Sequence, residues 1–231
     1  MIELYNYFLY HPILWLLVEI YNTVAFHDLG IAIILLTILV RVVLLPLFYK
    51  GAKDQVIMQR LQPKIKEIQE THRENKERQA RELMSLYREH RVNPLSSILL
   101  VAIQLPILIA LYQVFGKEAL SATFDNLSFL SLINLGEKSV ALVAIAAILQ
   151  YIQGKLALPK QSPADGPNPV AAIGKTMVYV GPLLTLVILV NLPSALGLYW
   201  AISTAFSVIQ QIYINKHVHI QITPTTNEKT I

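Results

Sequence analysis

Residues 29–49 read LGIAIILLTILVRVVLLPLFY, an apolar run whose only charge is Arg41. About 20 apolar residues suffice to cross a bilayer. In hydrocarbon the backbone amides must be satisfied within the segment, so a run of this length spans as a helix. A lone cation there is costly and ordinarily faces a bundle interior or a water-filled cavity. The plainer alternative is a snorkelling side chain that reaches the headgroups. Lys50 marks the expected end of the run, nine residues on. At a rise of ~1.5 Å per residue Arg41 sits about 13 Å deeper than Lys50, a long reach for one side chain. The buried-cavity reading is therefore the favoured one.

The remaining chain fits a membrane protein. Of 231 residues 54% are hydrophobic and 15% charged, and the apolar residues lie in long blocks. No cysteine is present, so disulfides, thiolate metal sites and cysteine lipidation are excluded. No Lys or Arg precedes Arg41, so the basic start of a cleavable secretory signal is missing. Residues 1–28 are aromatic and mixed, with His11, Glu19 and Asn22 interrupting the apolar pattern. They predict an outer-face amphipathic helix, about residues 12–24, lying in the interface. An additional span there is the alternative, and Glu19 near its middle argues against it.

Five transmembrane helices are expected, at 29–49, 95–116, 139–157, 171–190 and 195–214, giving an all-α integral membrane protein. The last two are separated by only Asn191, Leu192, Pro193 and Ser194, which predicts a tight antiparallel hairpin. Between them lie a cytoplasmic helical hairpin at 50–94, an outer loop at 117–138, a cytoplasmic loop at 158–170 and a cytoplasmic tail at 215–231. Residues 50–94 carry eleven Lys and Arg, against none before Arg41 and two in 117–138. The positive-inside rule puts 50–94 in the cytoplasm, the N-terminus outside and the C-terminus inside. Within that segment Ile57, Leu61, Ile65 and Ile68, then Leu83, Leu86 and Tyr87, follow helical spacing, with His72–Lys76 as the turn. Its charged face is either a contact surface or a solvated one. Lys64, Lys66, Arg73, Arg78 and Arg81 are the candidates for such a cytoplasmic contact.

Pro46, Pro106 and Pro182 punctuate the spans, and each frees a carbonyl one turn earlier. Thr37, Gln104, Gln113, Gln150, Gln153, Ser203, Thr204, Ser207, Gln210 and Gln211 are the polar residues of the spans. Interhelical hydrogen bonding accounts for most of the glutamines. The five spans hold no Asp, Glu or His, and no HExxH, GxSxG or P-loop pattern occurs. No catalytic residue, metal site or cofactor is expected, and the protein reads as a non-enzyme. With residues 29–36 wholly apolar, the polar groups describe a half-cavity, open to the cytoplasm and sealed outward.

These segments resemble the YidC/Oxa/Alb membrane protein insertases: LGIAIILLTILVRVVLLPL, LQPKIKEIQE, LYREHRVNPL, QLPILIALYQVF and PLLTLVILVNLPSALGLYWAISTAFSVIQQ, in the family's order over roughly residues 25–215. The resemblance implies a five-span core of the short bacterial type. Such a core inserts nascent membrane proteins into the lipid bilayer without nucleotide hydrolysis, independently of the Sec translocon and also beside it. Arg41 matches the family's groove arginine, Trp200 its aromatic position in the last span, and Gln150 or Gln153 a polar groove residue of the third. Gln104 joins them as a groove candidate. Pro63 matches the hairpin's Q-P-K pattern. Two departures stand out: Ala195 replaces a glycine before LYW, and Ser203-Thr204 stand where Asn is frequent. The implied setting is the bacterial plasma (inner) membrane, with the ribosome and Sec translocon as further partners, no sequence-specific nucleic acid, and action as a monomer. A small solute transporter or channel is the alternative.

Overall fold

The computed structural model describes residues 2–158 and 169–221. The middle of the expected loop at 158–170 and the end of the expected tail, 222–231, lie outside the described residues. The chain begins with α1 (Ile2–Tyr5), a π turn at Asn6–Tyr10, and α2 (His11–Thr23). The π turn closes with the His11 N–H on the Asn6 carbonyl. It widens the ladder where Pro12 has no donor and its ring presses on the carbonyl one turn back. A left-handed reversal at Phe26 and His27 follows. Asp28 then caps α3 (Leu29–Val43), accepting from the Ile31 amide at 3.0 Å.

Residues 29–49 do not form one straight helix. α3 stops at Val43, and α4 (Leu45–Arg60) leaves at 66° to it. The cause is Pro46, which lacks an amide donor and crowds the carbonyl of Val42. It then serves well in the first turn of α4, where that donor is not needed. A second break at Leu61, ahead of Pro63, separates α4 from α5 (Gln62–Thr71). α6 (Lys76–Glu89) starts from Asn75, whose side chain accepts the Arg78 amide. Leu61, Ile65, Leu86 and Val92 close a small core between α5 and α6, separate from the main one.

α7 (Ser96–Val114) and the short α8 (Lys117–Thr123) lead to a two-residue antiparallel pair, β1 (Ser128–Phe129) and β2 (Ile133–Asn134). Ser128 pairs with Asn134 and Phe129 with Ile133. This pair is the one departure from an all-α chain among the described residues, and it lies in the expected outer loop. α9 (Val140–Ala157), α10 (Pro169–Leu189) and α11 (Ser194–Gln221) complete the chain. α11 runs through the start of the expected tail.

Two helical segments, Val140–Ala157 and Ser194–His217, are each long and apolar enough to cross a membrane. α3 and α4 make a third if the bent pair is one span, and Ala102–Val114 and Lys175–Leu189 are shorter apolar stretches. Leu17, Leu29, Ile33, Leu36, Phe115, Leu120, Leu135 and Leu196 are sealed in a common core at one end of the bundle. Outward-facing side chains are also apolar, including Val43, Leu105, Ile109, Ile148, Leu183, Val187 and Ile209. So wide an apolar exterior suits hydrocarbon and not water.

Candidate functional site

Beyond the sealed core, the helices part around a cavity of ≈ 410 Å³. Six elements line it. α3 supplies Arg41, α4 Phe48, Ala52 and Gln55, and α7 Leu100 and Gln104. α9 supplies Gln150, Gln153, Gly154 and Ala157, and α10 Met177, Gly181 and Pro182. α11 contributes most, with Tyr199, Trp200, Ser203, Thr204, Ser207, Gln210 and Gln211. No wall residue precedes Arg41 on α3, Gln150 on α9 or Tyr199 on α11. The hollow therefore occupies one half of the bundle, and the packed core closes the other.

Among the described residues Arg41 is the only charged one of the wall. Its Nε donates to Ser203 Oγ at 2.9 Å, and Nη2 donates to the same oxygen. Its carbon Cζ stands 4.7 Å from the centre of the Phe48 ring, within cation–π range. No carboxylate lines the cavity among the described residues. Among the described residues the guanidinium is thus held by neutral partners and has no counter-ion.

The amides are fixed by neighbouring helices. Gln104 Nε2 donates to the Tyr199 hydroxyl at 2.9 Å, joining α7 to α11. Gln150 Oε1 accepts from the Thr185 hydroxyl, joining α9 to α10. Gly181 allows that approach: a Cβ there would stand 3.3 Å from Gln150 Nε2. Gln153 and Trp200 contribute wall without such a staple among the described residues. The five groove candidates read from the sequence therefore border one space.

The hairpin candidates lie apart from it. Lys64, Arg73, Arg78 and Arg81 are exposed on α5, its following turn and α6. Lys66 pairs with Glu70 at 3.9 Å, and Arg81 with Glu77. Such exposed pairs add little stability.

Several wall and rim residues carry weight that the sequence reading did not assign. Ser203 is Arg41's acceptor, from 162 positions away. A signal was present: polar residues at 203, 204, 207, 210 and 211 recur every three to four positions, a wet stripe on α11. Phe48 gave none, because the bend at Leu44 decides where it points. Gln59 Nε2 donates to the Ala157 carbonyl at 2.6 Å and Asn215 Nδ2 to that of Leu156 at 2.9 Å. Together they satisfy the free end of α9. Asp54, 4% exposed, accepts from Ser96 Oγ at 2.6 Å and from the Asn93 amide at 3.4 Å. It ties the start of the hairpin to its end.

Comparison with known proteins fits this architecture. The family described as 60Kd inner membrane protein matches residues 20–221. The chain belongs to that family. It is 36% identical over 190 residues to membrane protein insertase YidC 1 of Listeria monocytogenes, covering 80% of this chain and 63% of that protein. It is also 36% identical over 191 residues to membrane protein insertase YidC of Fusobacterium nucleatum, covering 82% and 87%. The YidC of Oceanobacillus iheyensis is 30% identical over 217 residues, covering 92% and 84%. The chain thus spans under two thirds of the Listeria relative's length. The likeness to the YidC insertases read from five short motifs is borne out along most of the chain.

Proposed function

We propose that this protein is a membrane protein insertase and chaperone of the bacterial inner membrane, with five spans formed by α3 and the first turns of α4, then α7, α9, α10 and α11. The N-terminus lies outside and the hairpin in the cytoplasm. The half-cavity opens to the cytoplasm and receives the short hydrophilic tail of a nascent membrane protein. Its length of polar wall shortens the hydrocarbon the tail must cross. The apolar part of the substrate leaves against the outer surface of the helices, and burial in lipid drives it at ~25 cal/mol per Å². Substrates need no Sec translocon, though the protein also works beside it. The ribosome approaches the hairpin through Lys64, Lys66, Arg73, Arg78 and Arg81. The insertase acts as a monomer.

One observation carries this reading: Arg41 stands in a polar half-cavity with no counter-ion among the described residues. A carboxylate ~4 Å away gains about 4 kcal/mol at an effective dielectric of ~20, against about 1 kcal/mol in water. That attraction is enough to recruit an acidic tail and weak enough to release it. The closed outer half argues against a channel, which needs a polar path through the whole membrane.

The test uses vesicles holding only this protein and two single-span substrates that differ by an acidic or a neutral outer tail. Arg41→Ala should slow the acidic-tailed substrate about tenfold, a loss of ~1.4 kcal/mol, and the neutral one less. Arg41→Glu should be worse for the acidic tail. Arg41→Lys should keep part of the preference, since it keeps charge without the planar fork. Equal insertion of both substrates by wild type and Arg41→Ala would make Arg41 a snorkelling anchor. Solute flux without insertion would favour a transporter.

A further inference from the structure

We infer that Ser203 is a specificity-determining residue of the groove: it holds one edge of the Arg41 guanidinium, so that an incoming carboxylate meets the other edge. The inference rests on the reading of the half-cavity as a seat for substrate tails.

The geometry begins with the donor count. A guanidinium has five N–H groups in a plane. Two of them, on Nε and Nη2, converge on Ser203 Oγ. The Nε–Nη2 edge is therefore occupied. Phe48 covers one face, with its ring centre 4.7 Å from Cζ. Three N–H groups remain: two are parallel on the Nη1–Nη2 edge, and the third, on Nη1, points to the Cδ side. Only on the Nη1–Nη2 edge can a carboxylate accept two parallel hydrogen bonds from this arginine.

Ser203 is itself 5% exposed, yet it lines the cavity. A hydroxyl has one hydrogen to donate and two lone pairs to accept with. Arg41 uses the accepting side. Ser207 in turn donates to the Ser203 backbone carbonyl at 3.1 Å. The serine thus acts through Arg41: it fixes the orientation of the guanidinium and leaves one edge of it for substrate.

The experiment compares two forms of one short-tailed single-span substrate, with Asp or Asn at one position of the translocated tail. Both are inserted into the same vesicles, so the Asp-to-Asn rate ratio is independent of the folded fraction. Ser203→Ala should lower the wild-type ratio severalfold, toward that of Arg41→Ala. Ser203→Asp should abolish the preference, because it installs a competing carboxylate on the Arg41 fork. A wild-type ratio in Ser203→Ala, with the ratio lost in Arg41→Ala, overturns the role of Ser203 and leaves the groove reading standing. An unaltered ratio in Ser203→Asp also overturns it. If Arg41→Ala itself keeps the ratio, the groove reading fails first and the serine's role falls with it.

Discussion

At the scale of single residues, the deepest constraint on this chain is legible and its resolution is not. Arg41 announces itself because hydrocarbon tolerates so few cations. What holds it, Ser203 and Phe48, depends on how α11 packs and on the angle of the bend at Leu44: the polar stripe of α11 and Pro46 are written in the sequence, but which side chains they bring to Arg41 is not. The same split holds for glycine. Gly30 in α3 lies against the β pair, and a Cβ there would come within 2.0 Å of the Phe129 ring and 2.6 Å of its Cβ. The ring cannot swing clear without moving its own backbone. Gly30→Ala should destabilise the detergent-solubilised protein by roughly 1–3 kcal/mol, the usual cost of overpacking. Adding Phe129→Ala should recover much of that loss, and a melting series over the two single variants and the double measures the coupling. Additive losses would mean that the helix and the β pair do not touch in the membrane.

At the scale of elements, α4 is the least foreseeable piece. Its sequence looks half span and half hairpin, and it is in fact a separate rod between two proline-linked breaks, at Leu44 and Leu61. Phe48, Ala52 and Gln55 on one face border the cavity. Asp54, on another face, binds the entry of α7. Asp54→Ala leaves the Ser96 hydroxyl without its acceptor. It should cost about 1–3 kcal/mol and raise the rate of proteolytic cleavage within α5 and α6. An unchanged cleavage pattern would show that the small hairpin core, Leu61, Ile65, Leu86 and Val92, holds the root unaided. The hairpin itself was readable from its three- and four-residue periodicity, since an amphipathic helix must place its apolar stripe somewhere. Its role is tested by replacing residues 62–89 with a short Gly-Ser linker. That replacement spares Gln59, which caps α9. Insertion should fall while the melting of the remaining helices is retained; full insertion would return the hairpin to a solvated ornament.

At the scale of the whole molecule, the two ends of the bundle differ in both bonding and charge. One end gathers the reversals: Asp28 accepts from the Leu130 amide at 2.6 Å, the Ser194 amide donates to the Glu137 carbonyl at 2.7 Å, and that of Ala195 donates to Leu135 at 3.1 Å. The other end gathers Gln59, Leu156, Ala157 and Asn215. The apolar blocks were legible because lipid demands length. The half-cavity was legible only as a bias of polar residues toward one end, since a hollow is the product of helices meeting. Residues 50–94 carry eleven Lys and Arg, and 117–138 carry two. The inner leaflet is anionic and retains the first set, so the cavity and the hairpin should face the cytoplasm. Because the chain has no cysteine, single replacements report cleanly. Ser131, in the turn between β1 and β2, and Arg78, on α6, are exposed and far from the groove wall. In intact cells stripped of their outer wall, a membrane-impermeant thiol reagent should label Ser131→Cys and spare Arg78→Cys. Detergent should expose both. The reverse pattern would place the arginine-bearing cavity on the outer face, and a cytoplasmic substrate could no longer enter it.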